Sequence, residues 1–278
     1  MDVFEELVRL RRAGRKCALA TIIDAQGSIP SHECAKLLVR DDGSFVGTVG
    51  GGCVEAQVWA AAREVMETGR PKRLSFNLGQ DTAYENGLIC GGELEVFLEP
   101  VFPEPRVFIF GAGHISKSLS KIASLAGFAT VVVDDRDTYA NRERFPEAER
   151  VLAGAYEELI PALEINESSF IVIVTRGHRD DLRVLRRAVE TPARYIAMVG
   201  SKRKVIALAK QLESEGVTAE AFERVHAPMG LEIGAVTPEE IAVSVVAEMI
   251  AVRRNAPGNW REVSKSLFVS GKLKAQPK

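Results

Sequence analysis

A glycine-rich turn in the second half of the chain has the spacing of a phosphate-binding motif. The apolar run 107–110 leads into Gly111-Ala-Gly113, and a helical pattern follows. In motifs of this spacing the first glycine makes a tight turn, the second lets a pyrophosphate approach the backbone, and the helix start offers amide donors. Asp134 closes the next apolar run, where a ribose-binding carboxylate belongs. The pattern predicts a dinucleotide site, or a site of this type that has been redirected to another ligand.

Polar and basic residues follow two further apolar runs. Residues 175–181 come after one of them, and residues 200–204 come after the next and open a helix with three cations. Cations at a helix start oppose the helix dipole, so a bound anion would account for them, whereas Lys204 taken alone is better explained as a solvated charge. The residues expected at this ligand site are His114, His178, Ser201, Lys202 and Arg203, beside Gly111, Gly113 and Asp134.

Three histidines raise the question of a metal site. His114, His178 and His226 each follow a different predicted element and could converge. Histidines that cap strands at a surface are commoner than histidine metal ligands, so we predict no protein-bound metal.

Two cysteines of the first half lie beside clusters of glycine. Gly50-Gly51-Gly52-Cys53-Val-Glu55 stands between an apolar run and a helical pattern, and Cys90-Gly-Gly92 repeats the theme. The helix start favours a thiolate at Cys53 and an anion near Glu55. A soft-ligand or redox role is therefore predicted for Cys53 and Cys90, whereas Cys17 lies within an apolar strand pattern and is expected in the core.

The elements that position these residues divide the chain in two. Short β-type runs with one helix fill residues 1–100 and indicate a small α+β domain, and the proline-rich stretch 101–105 is a linker. Apolar strands alternate with helices over residues 106–253, which predicts a Rossmann-like parallel-sheet domain. Residues 254–278 are expected to form a tail with little periodicity. The fold class is α/β.

Composition excludes several classes of function. The 278 residues carry a net charge of −2 and are 46% hydrophobic, so no general basic field indicates nucleic acid or an anionic membrane. No apolar run approaches the roughly 20 residues that span a bilayer, and no signal-peptide core is present. We expect a cytoplasmic protein, and a homodimer as the commonest soluble assembly.

Taken together, the motifs resemble those of the XdhC/CoxI family, the xanthine dehydrogenase accessory factors. The resemblance runs in order through both halves, from about residue 16 to residue 253. The motifs that carry it are Ala20-Thr21, Gly27-Ser-Ile-Pro30, Val49-Gly-Gly-Gly-Cys-Val-Glu55, Cys90-Gly-Gly92, Phe110-Gly-Ala-Gly-His114, Thr175-Arg-Gly-His178 with Asp181, Gly200-Ser-Lys-Arg-Lys204, His226-Ala-Pro-Met-Gly-Leu-Glu-Ile-Gly234 and Thr237-Pro-Glu-Glu-Ile-Ala242.

This resemblance implies a maturation chaperone without turnover chemistry of its own. Such a protein binds the molybdenum cofactor (molybdopterin) while a cysteine desulfurase supplies the terminal sulfur, and then delivers the cofactor to a molybdenum hydroxylase of the xanthine dehydrogenase type. By the same resemblance Cys53 is a candidate contact. The stretch 31–37 departs from the family, which usually has an arginine-rich, glycine-containing segment there, so the role of Cys34 is open.

Two other classes of function stay open at this point. An NAD(P)-dependent oxidoreductase would use the glycine-rich turn for NAD(P), although no proton donor is evident beside a substrate pocket. A redox or nucleotide sensor would use the cysteines to report oxidation. The sequence also leaves open whether the cofactor binds the first half, the second half or both.

Overall fold

The computed structural model describes residues 2–27, 31–78 and 92–269. The chain forms two compact units, residues 1–104 and residues 105–278. Within the described residues, no helix is both long enough and apolar enough to cross a bilayer.

The first unit is a five-stranded antiparallel sheet with two described helices. Helix α1 begins behind Asp2, whose carboxylate accepts hydrogen bonds from the amides of Phe4 and Glu5. The elements in chain order are α1 (Val3–Arg12), β1 (Cys17–Gln26), β2 (Lys36–Arg40), β3 (Phe45–Gly47), α2 (Gly52–Thr68), β4 (Lys72–Asn77) and β5 (Glu93–Val101), and the strand order is β3-β2-β1-β5-β4.

The core of this unit lies between the sheet and α2. Val54, Val58 and Val65 recur at helical spacing on the buried face of α2, as the sequence predicts. Cys17 is fully buried, which confirms its place in the core, and burial raises the pKa of its thiol to about 11. Helix α1 was not predicted from the sequence.

The second unit is a six-stranded parallel sheet with helices on both faces. Its strands are β6 (Arg106–Phe110), β7 (Ala129–Asp134), β8 (Arg150–Ala153), β9 (Ser169–Ile173), β10 (Tyr195–Met198) and β11 (Val225–His226). The order β8-β7-β6-β9-β10-β11 is the doubly wound Rossmann order, so the predicted Rossmann-like fold is confirmed. The direction of winding reverses between β6 and β9, and a ligand crevice is expected at the carboxyl ends of those two strands.

Alternate residues of the central strands feed two separate cores. Phe108 and Phe110 of β6 pack on one face, and Val107 and Ile109 pack on the other. The helices of this unit are α3 (His114–Leu125), α4 (Tyr156–Leu159), α5 (His178–Val189), α6 (Lys202–Ser214), α7 (Ala219–Phe222) and α8 (Pro238–Arg254).

The segment after α8 belongs to the second unit as far as the structure describes it. Leu267 is buried in the core, and its amide donates to the carbonyl of Ala227, just after β11. The sequence indicates only a tail here because backbone pairing of this kind leaves no periodic pattern of side chains.

Candidate functional site

The glycine turn, residues 111–113, connects β6 to α3 in the crevice. Gly111 has a φ of +110°, and a Cβ placed on it would lie 2.3 Å from the carbonyl oxygen of Val174, so only glycine fits. Around Gly113, a Cβ would meet no described atom within 4 Å. The backbone at Gly113 is therefore open to the approach of a ligand, which is the role expected of the second glycine.

Asp134 braces the glycine turn from the side of β7. Its buried carboxylate accepts a hydrogen bond from the amide of Ala112 (2.7 Å) and a two-pronged pair from the guanidinium of Arg136 (2.8 and 2.9 Å). Burial raises the pKa of Asp134, but these hydrogen bonds outweigh burial, and the pKa lies below its ordinary value. The oxygens of this predicted ribose ligand are engaged within the protein.

The next carboxylate, Asp135, is partly exposed. Arg176 Nη2 donates to Asp135 Oδ2 at 2.6 Å, while Arg136 Nε lies 3.8 Å from the same carboxylate group. The side chain of Asp135 is 32% exposed, against 1% for that of Asp134. Of the acidic pair at the end of β7, Asp135 is therefore the one presented to solvent.

Two helices begin at the crevice without a capping side chain. Gly113 precedes α3 and Gly177 precedes α5, and neither helix start receives a side-chain hydrogen bond. As at Gly113, a Cβ at Gly177 would meet no described atom within 4 Å. The free amides of these two helix starts offer donors and a positive dipole end to an anion. His114 and His178 are the exposed first residues of α3 and α5.

The cations at the start of α6 fall into two groups. Lys204 forms an ion pair with the buried carboxylate of Asp181, which also accepts a hydrogen bond from Thr175 (2.7 Å), so Lys204 is not the solvated charge expected from the sequence. Lys202 and Arg203 have no ion pair within the described residues. Ser201 caps the helix by accepting from the amide of Lys204. An open depression of about 360 Å³ is lined by His178, Ser201, Arg203, Lys204, Ala207, Leu208 and Gln211.

Two residues near the glycine turn were missed by sequence reasoning. Arg144 donates to the carbonyl of Ala112 (3.1 Å) and lies against the ring of Tyr139, and it has no carboxylate partner among the described residues. Ser116, in the third position of the glycine motif, is fully buried, and its hydroxyl has no partner within that part of the chain. The aperiodic loop after β7 gives no sequence signal for Arg144, which only the fold brings back to β6.

The three histidines do not form a metal site. His226 is buried against Glu248, whereas His114 and His178 are exposed. Across residues 2–27, 31–78 and 92–269 no group of three or more histidine, cysteine, aspartate or glutamate side chains is placed to hold a metal ion.

In the first unit, the GGGC turn, residues 50–53, connects β3 to α2. Gly50, Gly51 and Gly52 all have positive φ (117°, 76° and 57°), which side chains rarely adopt, so the turn requires consecutive glycines. Glu55 accepts hydrogen bonds from the hydroxyl of Thr48 (2.6 Å) and the amide of Val49 (3.3 Å), and thereby fixes the approach to the turn. Cys53 is a free, partly exposed thiol on the first turn of α2.

One end of the antiparallel sheet collects the cysteine-bearing segments. At this end, which we call the cysteine end, β1 finishes, β2 and β5 begin and β3 leads into the GGGC turn. Cys34, exposed and with a φ of +66°, immediately precedes β2. Cys90 lies outside the described residues.

Comparison with known proteins identifies the family. A model described as the XdhC Rossmann domain matches residues 107–249, and a model described as the XdhC and CoxI family matches residues 10–77. The chain belongs to the XdhC/CoxI family.

Several relatives within and around the XdhC/CoxI family are similar to the chain. YqeB of Escherichia coli K12 is 37% identical over 93% of this chain and 47% of its own length, and a probable xanthine dehydrogenase subunit of Bacillus subtilis 168 is 31% identical over 57% and 46%. The chain thus spans about half the length of these two relatives. The molybdenum cofactor insertion chaperone PaoD of E. coli K12 is 24% identical over 87% of this chain and 85% of its own length.

The fold of a solved structure is also similar. A Bacillus halodurans structure described as a xanthine dehydrogenase is 24% identical, with a TM-score of 0.51, over 92% of this chain and 97% of its own. The two XdhC/CoxI family matches divide the sites described above: the crevice with the glycine turn falls in the XdhC Rossmann match, and the GGGC turn with Cys34 falls in the other.

Proposed function

We propose that this chain binds the molybdenum cofactor and assists its sulfuration and insertion into a molybdenum hydroxylase of the xanthine dehydrogenase type. Membership of the XdhC/CoxI family and the similarity to a molybdenum cofactor insertion chaperone support a role in maturation. The chain acts as a carrier without turnover chemistry. A cysteine desulfurase supplies the sulfur, and the carrier works as a cytoplasmic homodimer.

The single observation that carries cofactor binding is the unbalanced positive charge of the crevice. Asp134, Asp135 and Asp181 are already paired with Arg136, Arg176 and Lys204. Arg144, Lys202 and Arg203 then remain without carboxylate partners in the described part of the chain, close to two uncapped helix starts. A cargo with phosphate groups, such as a phosphorylated pterin or its dinucleotide, would supply the missing negative charge.

The residues present fit such a cargo. Gly113 and Gly177 leave open space where other residues would place a Cβ, and the buried hydroxyl of Ser116 lacks a partner among the described residues. In this proposal the amides at Gly113 and Gly177 bind phosphate oxygens, and His114, His178 and Ser201 add donors beside Lys202 and Arg203.

We assign a separate task to the first unit. Cys53 supplies a soft thiol that contacts the cofactor, Gly51 and Gly52 let the cargo approach the backbone, and Glu55 holds the turn through Thr48. Cys90 is a second candidate thiol, outside the described residues.

The proposal is tested by measuring how much molybdopterin the purified protein retains after incubation with free cofactor, by fluorescence of the oxidised pterin and by molybdenum analysis. We expect near-stoichiometric retention in the wild type and clear losses in Cys53→Ser and in the double variant Lys202→Gln/Arg203→Gln. Lys210→Gln is the matched control, because it removes a cation from an exposed position of the same helix.

Absence of retention in the wild type would refute the carrier function. If NADH or NADPH then bound tightly and a carbonyl substrate turned over, the oxidoreductase alternative would replace it. Reversible oxidation of the cysteines without any response to pterin would favour the sensor alternative.

A further inference from the structure

The ion pair between Arg176 and Asp135 spans the entrance to the glycine turn. Asp135 follows β7 and Arg176 follows β9, and β6 lies between these two strands in the sheet. The 2.6 Å contact from Nη2 to Oδ2 therefore crosses the carboxyl end of β6, where the glycine turn begins. We call this pair the clasp.

The glycine turn does not depend on the clasp for its shape. On one side the amide of Ala112 is bound by Asp134, and its carbonyl accepts from Arg144. On the other side Gly111 packs directly against the backbone of Val174. Since the turn is fixed from both directions, the clasp can open without disturbing it.

The clasp is also exposed enough to open. The side chains of Arg176 and Asp135 are 55% and 32% exposed, so solvent screens their attraction and replaces their contact readily. Asp180 lies 3.7 Å from Arg176 Nε and Arg136 lies 3.8 Å from Asp135, so each partner keeps a weaker neighbour of opposite charge when the clasp opens.

We propose that the clasp selects ligands that carry both a diphosphate and a ribose. A guanidinium binds phosphate oxygens in the same two-pronged manner as a carboxylate, so a diphosphate takes Arg176 from Asp135. The released Asp135 then accepts from the vicinal hydroxyls of a ribose, a task that Asp134 cannot perform because its oxygens are engaged. A diphosphate alone leaves Asp135 unpaired beside a new negative charge, which costs affinity.

This inference rests on the proposed function and names the chemical class of cargo that the crevice prefers. It makes phosphate and sugar recognition mutually dependent: a nucleoside diphosphate group satisfies both halves of the clasp, whereas a simple phosphate satisfies one. The selectivity would arise at Asp135 and Arg176, neither of which was assigned to the site from sequence.

The test is calorimetric titration of the full chain with inorganic pyrophosphate and with ADP. In Asp135→Asn we expect pyrophosphate affinity to rise by up to about fivefold, the equivalent of an exposed ion pair, while ADP affinity falls. In Arg176→Gln we expect both ligands to bind at least about tenfold more weakly, because a charge-assisted contact to phosphate is lost from each.

The matched controls come from the pair Arg186–Glu215, which is 2.8 Å long and similarly exposed, at 50% and 31%. Arg186→Gln and Glu215→Gln should leave both affinities unchanged. Thermal denaturation of all four variants shows whether each one is folded.

Two results would overturn the clasp. One is an Asp135→Asn protein that binds pyrophosphate no more tightly than the wild type does, or that keeps the full preference for ADP, including the case in which neither protein binds either ligand. The other is equal weakening of both ligands in Asp135→Asn together with a larger loss of thermal stability than in Glu215→Gln, which would make the pair a structural brace. Molybdopterin retention is measured separately, so the carrier function can stand when the clasp fails.

Discussion

His226 Nδ1 lies 3.1 Å from Glu248 Oε1, and both side chains are buried in the parallel-sheet unit. The same carboxylate accepts from the hydroxyl of Tyr195 (2.7 Å), the amide of Gly230 (2.9 Å) and the hydroxyl of Ser264. Burial raises the pKa of Glu248, but the contacts with His226 and its other donors outweigh burial and hold the pKa below its ordinary value. One carboxylate thus joins β11, α8 and the segment that follows α8.

Removing this carboxylate should strongly destabilise the second unit. In Glu248→Ala several buried donors lose their acceptor, and we expect a loss of about 3–5 kcal/mol in the free energy of unfolding. Urea denaturation followed by the fluorescence of Trp260, which stacks on His226, measures the loss in a Trp59→Phe background. Glu213→Gln, an exposed change on α6, should shift stability by less than about 0.5 kcal/mol. Equal stability of Glu248→Ala and the wild type would mean that the network contributes nothing.

Glu6 predicts a dependence of the first unit on pH. Its buried carboxylate receives hydrogen bonds from Arg9 and Arg40 (2.6 Å each), which lower its pKa from 4.5 to about 2. A carboxyl group with a lowered folded-state pKa stabilises the fold above its unfolded value and loses that contribution as the pH falls through the folded value.

We therefore expect Glu6→Gln to be less stable than the wild type at neutral pH and the difference to shrink between pH 4.5 and pH 2. Hydrogen exchange of peptides from α1 and β2 measures this locally, and peptides from the second unit serve as the control. A difference that is constant over this range would show that the pKa of Glu6 is not lowered.

Much of the fold could be predicted because its elements are periodic. Strands β6, β7, β9 and β10 are continuous apolar runs, and the start of α8 is indicated by Thr237-Pro238, which forms a full capping box with Glu240 in the structure. Short edge strands such as β8 carry no such pattern, since one side of an edge strand is free and few of its residues are buried. The position of β8 depends on pairing with β7, which sequence periodicity does not encode.

The candidate site was predictable in its backbone and not in its charge pairing. Gly111 could be assigned because only glycine fits a tight strand-to-helix turn. The distinction between Asp134 and Asp135 could not, because adjacent residues at a strand end point in different directions, and their contacts come from Ala112 and Arg176 elsewhere in the chain. The partner of Lys204 was hidden for the same reason.

The two glycines of the turn should respond differently to alanine. Gly111→Ala combines a positive φ with a 2.3 Å overlap on Val174, and we expect a loss of about 2–4 kcal/mol in stability. Gly113 has a φ of −79° and open space around it, so Gly113→Ala should leave the melting temperature unchanged while it lowers molybdopterin retention. If Gly113→Ala retained cofactor like the wild type, the open face of the turn would not be the binding surface.

Lys202 and Lys204 are two positions apart on α6 but should have opposite phenotypes. Lys204→Met leaves the buried carboxylate of Asp181 with Thr175 as its remaining partner, so we expect a loss of about 1–3 kcal/mol in stability. Lys202→Met breaks no described contact, so its stability should equal that of the wild type while cofactor retention falls. Thermal denaturation and pterin fluorescence on the same samples separate the two effects. If Lys202→Met lost stability and kept its cofactor, Lys202 would have a structural role and the excess charge of the crevice would not serve anion binding.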